Sequence, residues 1–173
     1  SASGTLIIAQ PNQTITFGAL AAKTFGDASF SLSATASSGL PVSFSSGNPG
    51  VATVSGSTVT LVGAGSAVIT ASQAGNSNYT AAPDLTQTLT VNKAAATVTL
   101  SGLSAMYDGT AKSATATTTP MSLPVTFTHN GSSPAPVNAG SYAVVATVNH
   151  ANYTGSASGT LIIAQPNQTI TFG

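Results

Sequence analysis

The stretch SASGTLIIAQPNQTITFG at residues 1–18 recurs without a single difference at residues 156–173. The two copies are 156 − 1 = 155 residues apart. Self-similarity at a fixed spacing is typical of tandem-repeat proteins, whose function lies largely in the length, stiffness and surface of the array. The sequence therefore predicts a segment of a longer array with a period of 155 residues.

A second, diverged repeat lies within the first one. The matched pairs are TITF at 14–17 and TVTL at 97–100, LPVSF at 40–44 and LPVTF at 123–127, and AGS at 64–66 and 139–141. The first two pairs have the same spacing, and the third pair is more closely spaced. Because the blocks keep their order, we predict two copies of one fold, domain A and domain B, that differ by insertions.

The two repeats together predict the domain boundaries. Residues 10–92 form domain A and residues 93–165 form domain B. Residues 1–9 are then the last strand of a preceding domain B, and residues 166–173 are the first strand of the next domain A. The junction VNKA at 91–94 has no Gly/Ser tract and is very short, which predicts limited bending between the domains.

Apolar residues alternate with Ser and Thr along most of the chain, which is the pattern of half-buried strands. In domain A these are Ile15 and Phe17; Phe30, Leu32 and Ala34; Val59 and Leu61; Ala67, Ile69 and Ala71; Leu89 and Val91. In domain B they are Val98 and Leu100; Val125 and Phe127; Tyr142, Val144, Ala146 and Val148; Leu161 and Ile163. About seven short strands per domain, with no helical pattern, predict an all-β chain of two tandem Ig-like antiparallel β-sandwiches.

The composition excludes several classes of function. Charged residues make up 3% of the chain and the formal net charge is zero, so nothing attracts nucleic acid or an anionic membrane. Hydrophobic residues make up 42%, but no apolar run approaches the ~20 residues of a membrane-spanning helix. There is no Cys, which excludes disulfides and thiolate metal sites.

Few residues are candidates for chemistry. His129 and His150 are both predicted to be solvated loop residues, because neither has carboxylate or histidine partners nearby in the sequence. Asp27, Asp84 and Asp108 are far apart, so no calcium loop is formed, and Asp108 begins an Asp-Gly turn. We therefore predict no metal, no cofactor and no enzymatic activity.

The motifs of both domains resemble known repeat families. Domain A, with SGLPVSF at 38–44, VATV at 51–54 and GSAVITA at 65–71, is similar to bacterial Ig-like repeats. Domain B, with YDG at 107–109, PVNAGSY at 136–142, NYTG at 152–155 and GTLII at 159–163, is similar to MBG-type repeats. The resemblance implies an extracellular location at the cell surface, in the stalk of a giant adhesin or in a filament.

Two tyrosines have predicted structural roles in domain B. Tyr142 follows Ala-Gly-Ser, as in a tyrosine corner, where the phenol hydroxyl bonds to backbone near the start of a strand. Tyr107 precedes the Asp108-Gly109 turn and is expected to cover the edge of the core. Domain A has Ala67 at the place of Tyr142 and is expected to lack this hydrogen bond.

The resulting hypothesis is a structural repeat whose partner is itself, arranged head to tail. A sharper version is strand addition: Leu6 and Ile8 duplicate Leu161 and Ile163, so residues 1–9 of one subunit are able to complete domain B of another. Covalently continuous repeats and strand-exchanged subunits both fit the sequence.

The alternative hypothesis is an adhesin module that binds a glycan or a host protein. Its contacts would come from exposed Asn, Gln, Thr and Tyr side chains. Tyr79 and Tyr153, near the domain ends, are the best candidates for such contacts.

Overall fold

The computed structural model describes residues 8–171, which form two compact units that divide between Lys93 and Ala94. Within this range the regular structure is entirely β, with seventeen strands and no helix. The alternating Ser, Thr and apolar residues account for this, because they suit a pleated surface that is buried on one face.

The described part of unit 1 contains nine strands. They are β1 (Ile15–Phe17), β2 (Lys23–Thr24), β3 (Phe30–Ser31), β4 (Ala34–Ala36), β5 (Ser43–Ser46), β6 (Ala52–Ser55), β7 (Thr58–Leu61), β8 (Gly65–Ser72) and β9 (Leu85–Asn92). One sheet has the order β2-β9-β8-β5, and the opposite side is made of β3-β7-β6 together with the pair β1-β4. This arrangement is that of an Ig-like sandwich.

The core of unit 1 lies between its sheets. Ile69 and Leu89 come from the four-stranded sheet, Val59 comes from the three-stranded sheet, and Phe17 comes from β1; all four belong to one buried cluster. The Phe17 and Phe44 rings lie 5.6 Å apart between centroids, which is a favourable distance for a tilted aromatic pair.

One predicted strand of domain A is divided in two. Phe30 and Ala34 lie in β3 and β4, which pair with β7 and β1 respectively, and Leu32 and Ser33 between them belong to neither strand. Leu32 is nevertheless buried in the core. The alternation of apolar residues therefore continues through a change of strand partner, which the pattern by itself does not reveal.

The described part of unit 2 contains eight strands. They are β10 (Ala94–Ala95), β11 (Thr97–Ser101), β12 (Ser104–Met106), β13 (Thr115–Thr119), β14 (Val125–His129), β15 (Gly140–Val148), β16 (Tyr153–Thr154) and β17 (Ser156–Ala164). The main sheet has the order β12-β17-β15-β14; β11 pairs with β13, and β10 pairs with β16. Two buried clusters, centred on Val144 with Leu161 and on Ala146 with Val148, fill the space beneath the main sheet.

Three short strand pairs between residues 8 and 171 are parallel, although the sequence predicts antiparallel sandwiches. They are β2 with β9, β12 with β17, and β10 with β16. In both units a segment near the start of the fold crosses from one sheet to the other and there runs alongside the last strand. The stretches involved are two or three residues long, too short for a visible period-two pattern.

Unit 2 lacks one hairpin of unit 1. The connection between β5 and β8 runs from 47 to 64 and contains the hairpin β6-β7, whereas the connection between β14 and β15 runs only from 130 to 139. An LPV block precedes this connection in each unit and an AGS block follows it. The distance from the LPV block to the AGS block is shorter in unit 2 by the same number of residues as the connection is. The insertion that separates the two copies of the fold is thus the β6-β7 hairpin.

The prediction that His129 is a solvated loop residue is wrong. His129 is the last residue of β14, is only 4% exposed, and pairs with Val144. The turn begins one residue later, at Asn130 and Gly131, which both have positive φ. Period-two alternation places His129 on the same face as Val125 and Phe127, towards the core.

Candidate functional site

The segment Gln10–Gln13, which lies in the second half of the repeated stretch, is docked on a loop of unit 1. Gln10 Nε2 donates to the carbonyls of Asn76 and Ser77 at 3.1 and 2.9 Å. The Thr80 amide donates to the Pro11 carbonyl at 3.2 Å, and the Thr80 hydroxyl donates to Asn12 Oδ1 at 3.1 Å. We call Gln10–Gln13 the junction segment and Gln73–Thr80 the receptor loop.

Gln13 is the buried anchor of the junction segment. It is 2% exposed, and its Nε2 donates to Gln73 Oε1 and to the Thr80 carbonyl, both at 2.6 Å. The Ser38 hydroxyl donates to Gln13 Oε1. A buried amide of this kind is stable only when its donors and acceptor are paired, as they are here.

The receptor loop is also held by hydrogen bonds between its own residues. Gly75 has a φ of 78° and donates its amide to Gln73 Oε1 at 2.5 Å. A Cβ at Gly75 would overlap the Tyr79 carbonyl oxygen, so only glycine fits there. Asn76 Oδ1 accepts the amides of Asn78 and Tyr79, which closes the loop as an Asx-type turn.

The second copy of the junction segment lies at residues 165–168. In contrast to Gln13, the equivalent Gln168 is exposed, as are all residues from 165 to 171. Gln165 and its neighbours line one side of a cleft of about 750 Å³, whose other side is made of Tyr107, Asn138 and Ala139. The same four residues are therefore hydrogen-bonded to the receptor loop in unit 1 and exposed along this cleft in unit 2.

The four predicted assembly residues fall in contrasting places. Leu161 and Ile163 are buried in β17, between β12 and β15, and Ile163 is 2% exposed. Ile8, which is equivalent to Ile163, is 83% exposed. Leu6 lies outside the described residues. The place of the last strand in domain B is thus filled by the chain's own residues 156–164.

Tyr142 makes the hydrogen bond expected of a tyrosine corner. Its hydroxyl donates to the Asn138 carbonyl at 2.9 Å, four residues upstream. The Tyr142 ring packs on the Leu161 and Ile163 cluster. Tyr107 is partly exposed, and its amide donates to the Ala164 carbonyl at 2.9 Å, which extends the pairing of β12 with β17 by one residue.

The Asp108-Gly109 turn carries an ion pair. Lys112 Nζ lies 2.5 Å from Asp108 Oδ2, and the Thr110 amide and hydroxyl both donate to Asp108 Oδ1. The Lys112 ammonium, followed by Thr110, holds the pKa of the Asp108 carboxyl well below its ordinary value. The carboxylate is exposed and serves to close the turn.

The residues considered for ligand contacts are half-buried. Tyr79 belongs to the receptor loop, and Tyr153 packs against the Ala146 and Val148 cluster. His150 lies in a loop, accepts the Asn152 amide at Nδ1 at 3.1 Å, and has its ring 5.3 Å from that of Tyr153. Tyr153 thus contributes to the core of unit 2, and His150 contacts its ring.

Between residues 8 and 171, no three His, Asp or Glu side chains lie close enough together to bind a metal ion. Over the same range, no helix has the length and apolar character required to cross a membrane.

Comparison with known protein families finds a match within unit 2. Residues 96–167 match the family model described as the MBG domain. Over these residues, unit 2 is similar to the MBG domain. Its predicted resemblance to MBG-type repeats is therefore confirmed, and the match covers β11 to β17 and continues into the second junction segment as far as Asn167.

Solved multidomain structures resemble the whole chain weakly. Drosophila N-cadherin EC1-4 is 11% identical, with a TM-score of 0.39 over 91% of this chain and 50% of that one. Sidekick-1 immunoglobulin domains 1-4 are 10% identical, with a TM-score of 0.39 over 94% of this chain and 48% of that one. The chain spans about half the length of both structures. A search of curated proteins gives no match.

Sequence reasoning missed the most specific polar contacts. Gln13 lies in the repeated stretch, yet a Gln two residues after a Pro is ordinarily exposed, and no pattern marks it as buried. Gln73 follows directly on β8 and continues its alternation, because Ala67, Ile69 and Ala71 are buried and Gln73 is too. That alternation was the one available signal.

Proposed function

We propose that this chain is a structural repeat of an extracellular stalk or filament, in which an Ig-like domain A alternates with an MBG domain every 155 residues. The supporting observation is the identity of residues 1–18 and 156–173, combined with the fold of the residues between them. The role is mechanical, and neither domain acts as an enzyme. The cell-surface location rests on the MBG family resemblance.

The connections between domains favour stiffness. β9 ends at Asn92 and β10 begins at Ala94, so one residue, Lys93, lies between the last strand of domain A and the first strand of the MBG domain. The Phe25 amide donates to the Asn92 carbonyl, and the Ala94 amide donates to the Asn152 carbonyl, at 2.8 and 2.9 Å. Flexible linkers are longer and rich in Gly and Ser.

Small-angle scattering on chains of one, two and three 155-residue repeats tests this function. A strand of nine residues is ~30 Å long, so an end-to-end arrangement of two such domains would add ~60 Å per repeat. We expect the maximum dimension to grow linearly with the number of repeats. Growth as the square root of that number would indicate flexibly linked domains and would overturn the stalk or filament role.

Strand addition is a narrower form of the same proposal. Ile8 is exposed where its equivalent Ile163 is buried, so this apolar side chain has no core of its own. Because β17 already occupies the domain B slot, residues 1–9 would have to displace it in another subunit. Deleting residues 1–9 and comparing assembly by light scattering tests this version: unchanged assembly removes it and leaves the covalent array.

A further inference from the structure

We propose that the receptor loop Gln73–Thr80 recognises the junction segment that follows each MBG domain, so that residues 165–168 dock on the receptor loop of the next domain A. This inference rests on the proposed array. It assigns to the sequence Gln-Pro-Asn-Gln the role of a lock between successive repeats.

The two copies of the junction segment, Gln10–Gln13 and residues 165–168, are chemically identical. Every group that the receptor loop uses in Gln10–Gln13 is repeated at residues 165–168: two side-chain amides, the Pro carbonyl and the Asn side-chain oxygen. The residues that follow are also repeated, through Phe17 and its equivalent, and Phe17 fills the core of domain A. A domain A built after Gly173 therefore presents the same loop to the same segment.

The two copies of the junction segment differ in burial. Gln13 is buried, with its amide and carbonyl both paired, whereas the equivalent Gln168 is exposed. Ile170 is 77% exposed, while its equivalent Ile15 pairs with Ala36 in β1-β4 and packs on the core. Residues 165–171 thus repeat the sequence of a segment that is hydrogen-bonded and packed in unit 1, and they are exposed in unit 2.

The connection between β17 and the docked segment contains no spare residues. β17 ends at Ala164, and the docked segment begins at the equivalent of Gln10, which is Gln165. No residue remains between the last strand of the MBG domain and the first hydrogen bond of the lock. The receptor loop is itself closed by Gly75 and Asn76, so docking leaves no coil at this junction able to act as a hinge.

An extended chain tests the proposal. Residues 19–93 are appended after Gly173, which continues the repeat and supplies a second domain A. Since the chain has no Cys, two introduced cysteines carry the only spin labels, at the exposed Ser158 and at the position equivalent to Thr53 in the appended domain. Pulsed electron paramagnetic resonance then measures the distribution of distances between the MBG domain and the appended domain.

We expect a narrow distribution that Gln168→Ala widens by about twofold as the junction becomes a coil. The matched control is Gln13→Ala, which removes the same side chain from the first domain A and leaves the measured junction intact, so the width is unchanged. A broad distribution in the parent chain, or equal widths with and without Gln168, overturns the lock.

A second variant covers the case in which Gln168→Ala unfolds the appended domain. Gln165→Ala removes the equivalent of Gln10, whose amide contacts only exposed carbonyls. It is expected to widen the distribution while the appended domain keeps its folded amide spectrum; an unchanged width counts against the lock. A narrow junction combined with square-root growth in scattering would overturn the stalk and leave the lock in place.

Discussion

At the scale of single residues, the clearest contrast is between Gln13 and Gln168, which have the same sequence around them and opposite burial. Gln13→Ala removes three side-chain hydrogen bonds and leaves Gln73 and Thr80 without these partners. We expect unit 1 to lose about 1–3 kcal/mol of unfolding free energy. Urea unfolding, followed through the amide NMR signal of Ile69, measures it.

Gln168→Ala in the same 173-residue chain is the internal control. Because the side chain is exposed, its removal is expected to change the unfolding free energy by less than about 0.5 kcal/mol. Equal losses for the two variants would show that the Gln13 contacts contribute nothing specific to unit 1.

His129 presents a buried polar group without a hydrogen bond. Neither ring nitrogen has a partner within the described part of the chain, although the side chain is almost fully enclosed. Replacing it with an apolar residue of similar size, His129→Leu, is expected to stabilise unit 2 by about 1 kcal/mol. Denaturant unfolding, monitored at the Val144 amide, measures the change.

His129→Ala separates polarity from volume. This variant removes the same nitrogens but leaves a cavity, and we expect it to destabilise unit 2 by about 2 kcal/mol. If His129→Leu were as destabilising as His129→Ala, the imidazole would stabilise unit 2 through interactions other than hydrogen bonds to its nitrogens.

The Asp108 turn has a defined pH dependence. Since the folded pKa of Asp108 lies below the ordinary value of 3.8, the contacts of the carboxylate stabilise the turn above that pH and are lost as the pH falls through the folded pKa. In Lys112→Gln the largest cause of the shift is absent, so the pKa of Asp108 is expected to rise towards 3.8. Carboxyl carbon NMR titration measures it, and an unchanged pKa would contradict the assignment to Lys112.

At the scale of elements, the parallel pair β10-β16 depends on one close approach of two backbones. A Cβ at Gly155 would overlap the Ala96 carbonyl oxygen, which is a backbone atom and cannot move aside as the end of a flexible side chain can. Gly155→Ala is expected to destabilise unit 2 by about 2 kcal/mol or more, because the backbone has to move. Thermal unfolding, with loss of protection of the Ala96 amide, measures the effect.

Gly109→Ala is the comparison for this element. Gly109 has a φ of 81° but open space around its Cα, so alanine introduces backbone strain without a clash, at a cost of about 1 kcal/mol. A smaller effect for Gly155→Ala than for Gly109→Ala would show that β10 and β16 separate without cost to the fold.

Much of the fold follows from alternation, and the exceptions have physical causes. Long strands such as β15 and β17 present four or more alternating positions, enough to fix their face and register. Two-residue strands such as β2 and β10 carry no period, and their parallel pairing depends on the path of the chain between sheets. The shorter spacing between the later repeat blocks also reflects the absence of the β6-β7 hairpin from unit 2. The spacing by itself does not indicate which strands are absent.

The candidate site was less accessible to sequence reasoning. The repetition drew attention to residues 1–18, but the assembly hypothesis was placed on Leu6 and Ile8, because they duplicate Leu161 and Ile163 of the last strand of domain B. The interactions of the described copy come instead from Gln10 and Gln13. Amide hydrogen bonds depend on three-dimensional placement, and spacing in the sequence does not encode it.

At the scale of the whole molecule, the decisive property is the near absence of charge. The chain of 173 residues has three cationic and three anionic residues, and hydroxyl and amide groups provide the remaining polarity. The ion pair of Lys112 with Asp108 lies on the surface of unit 2. Cohesion therefore comes from apolar packing and neutral hydrogen bonds, which dissolved ions do not screen.

This composition predicts a stability that is nearly independent of ionic strength. Between 0.01 and 1 M NaCl the Debye length falls from about 30 to 3 Å, yet surface pairs contribute only about 0–1 kcal/mol, so the unfolding free energy is expected to change by less than about 1 kcal/mol. Thermal unfolding across this range measures it, with Lys112→Gln as the control that removes the surface pair. A large loss of stability in salt, retained in Lys112→Gln, would require long-range electrostatics that six charges do not supply. We therefore expect a repeat held together in this way to keep its structure across this range of salt, which suits the proposed extracellular role.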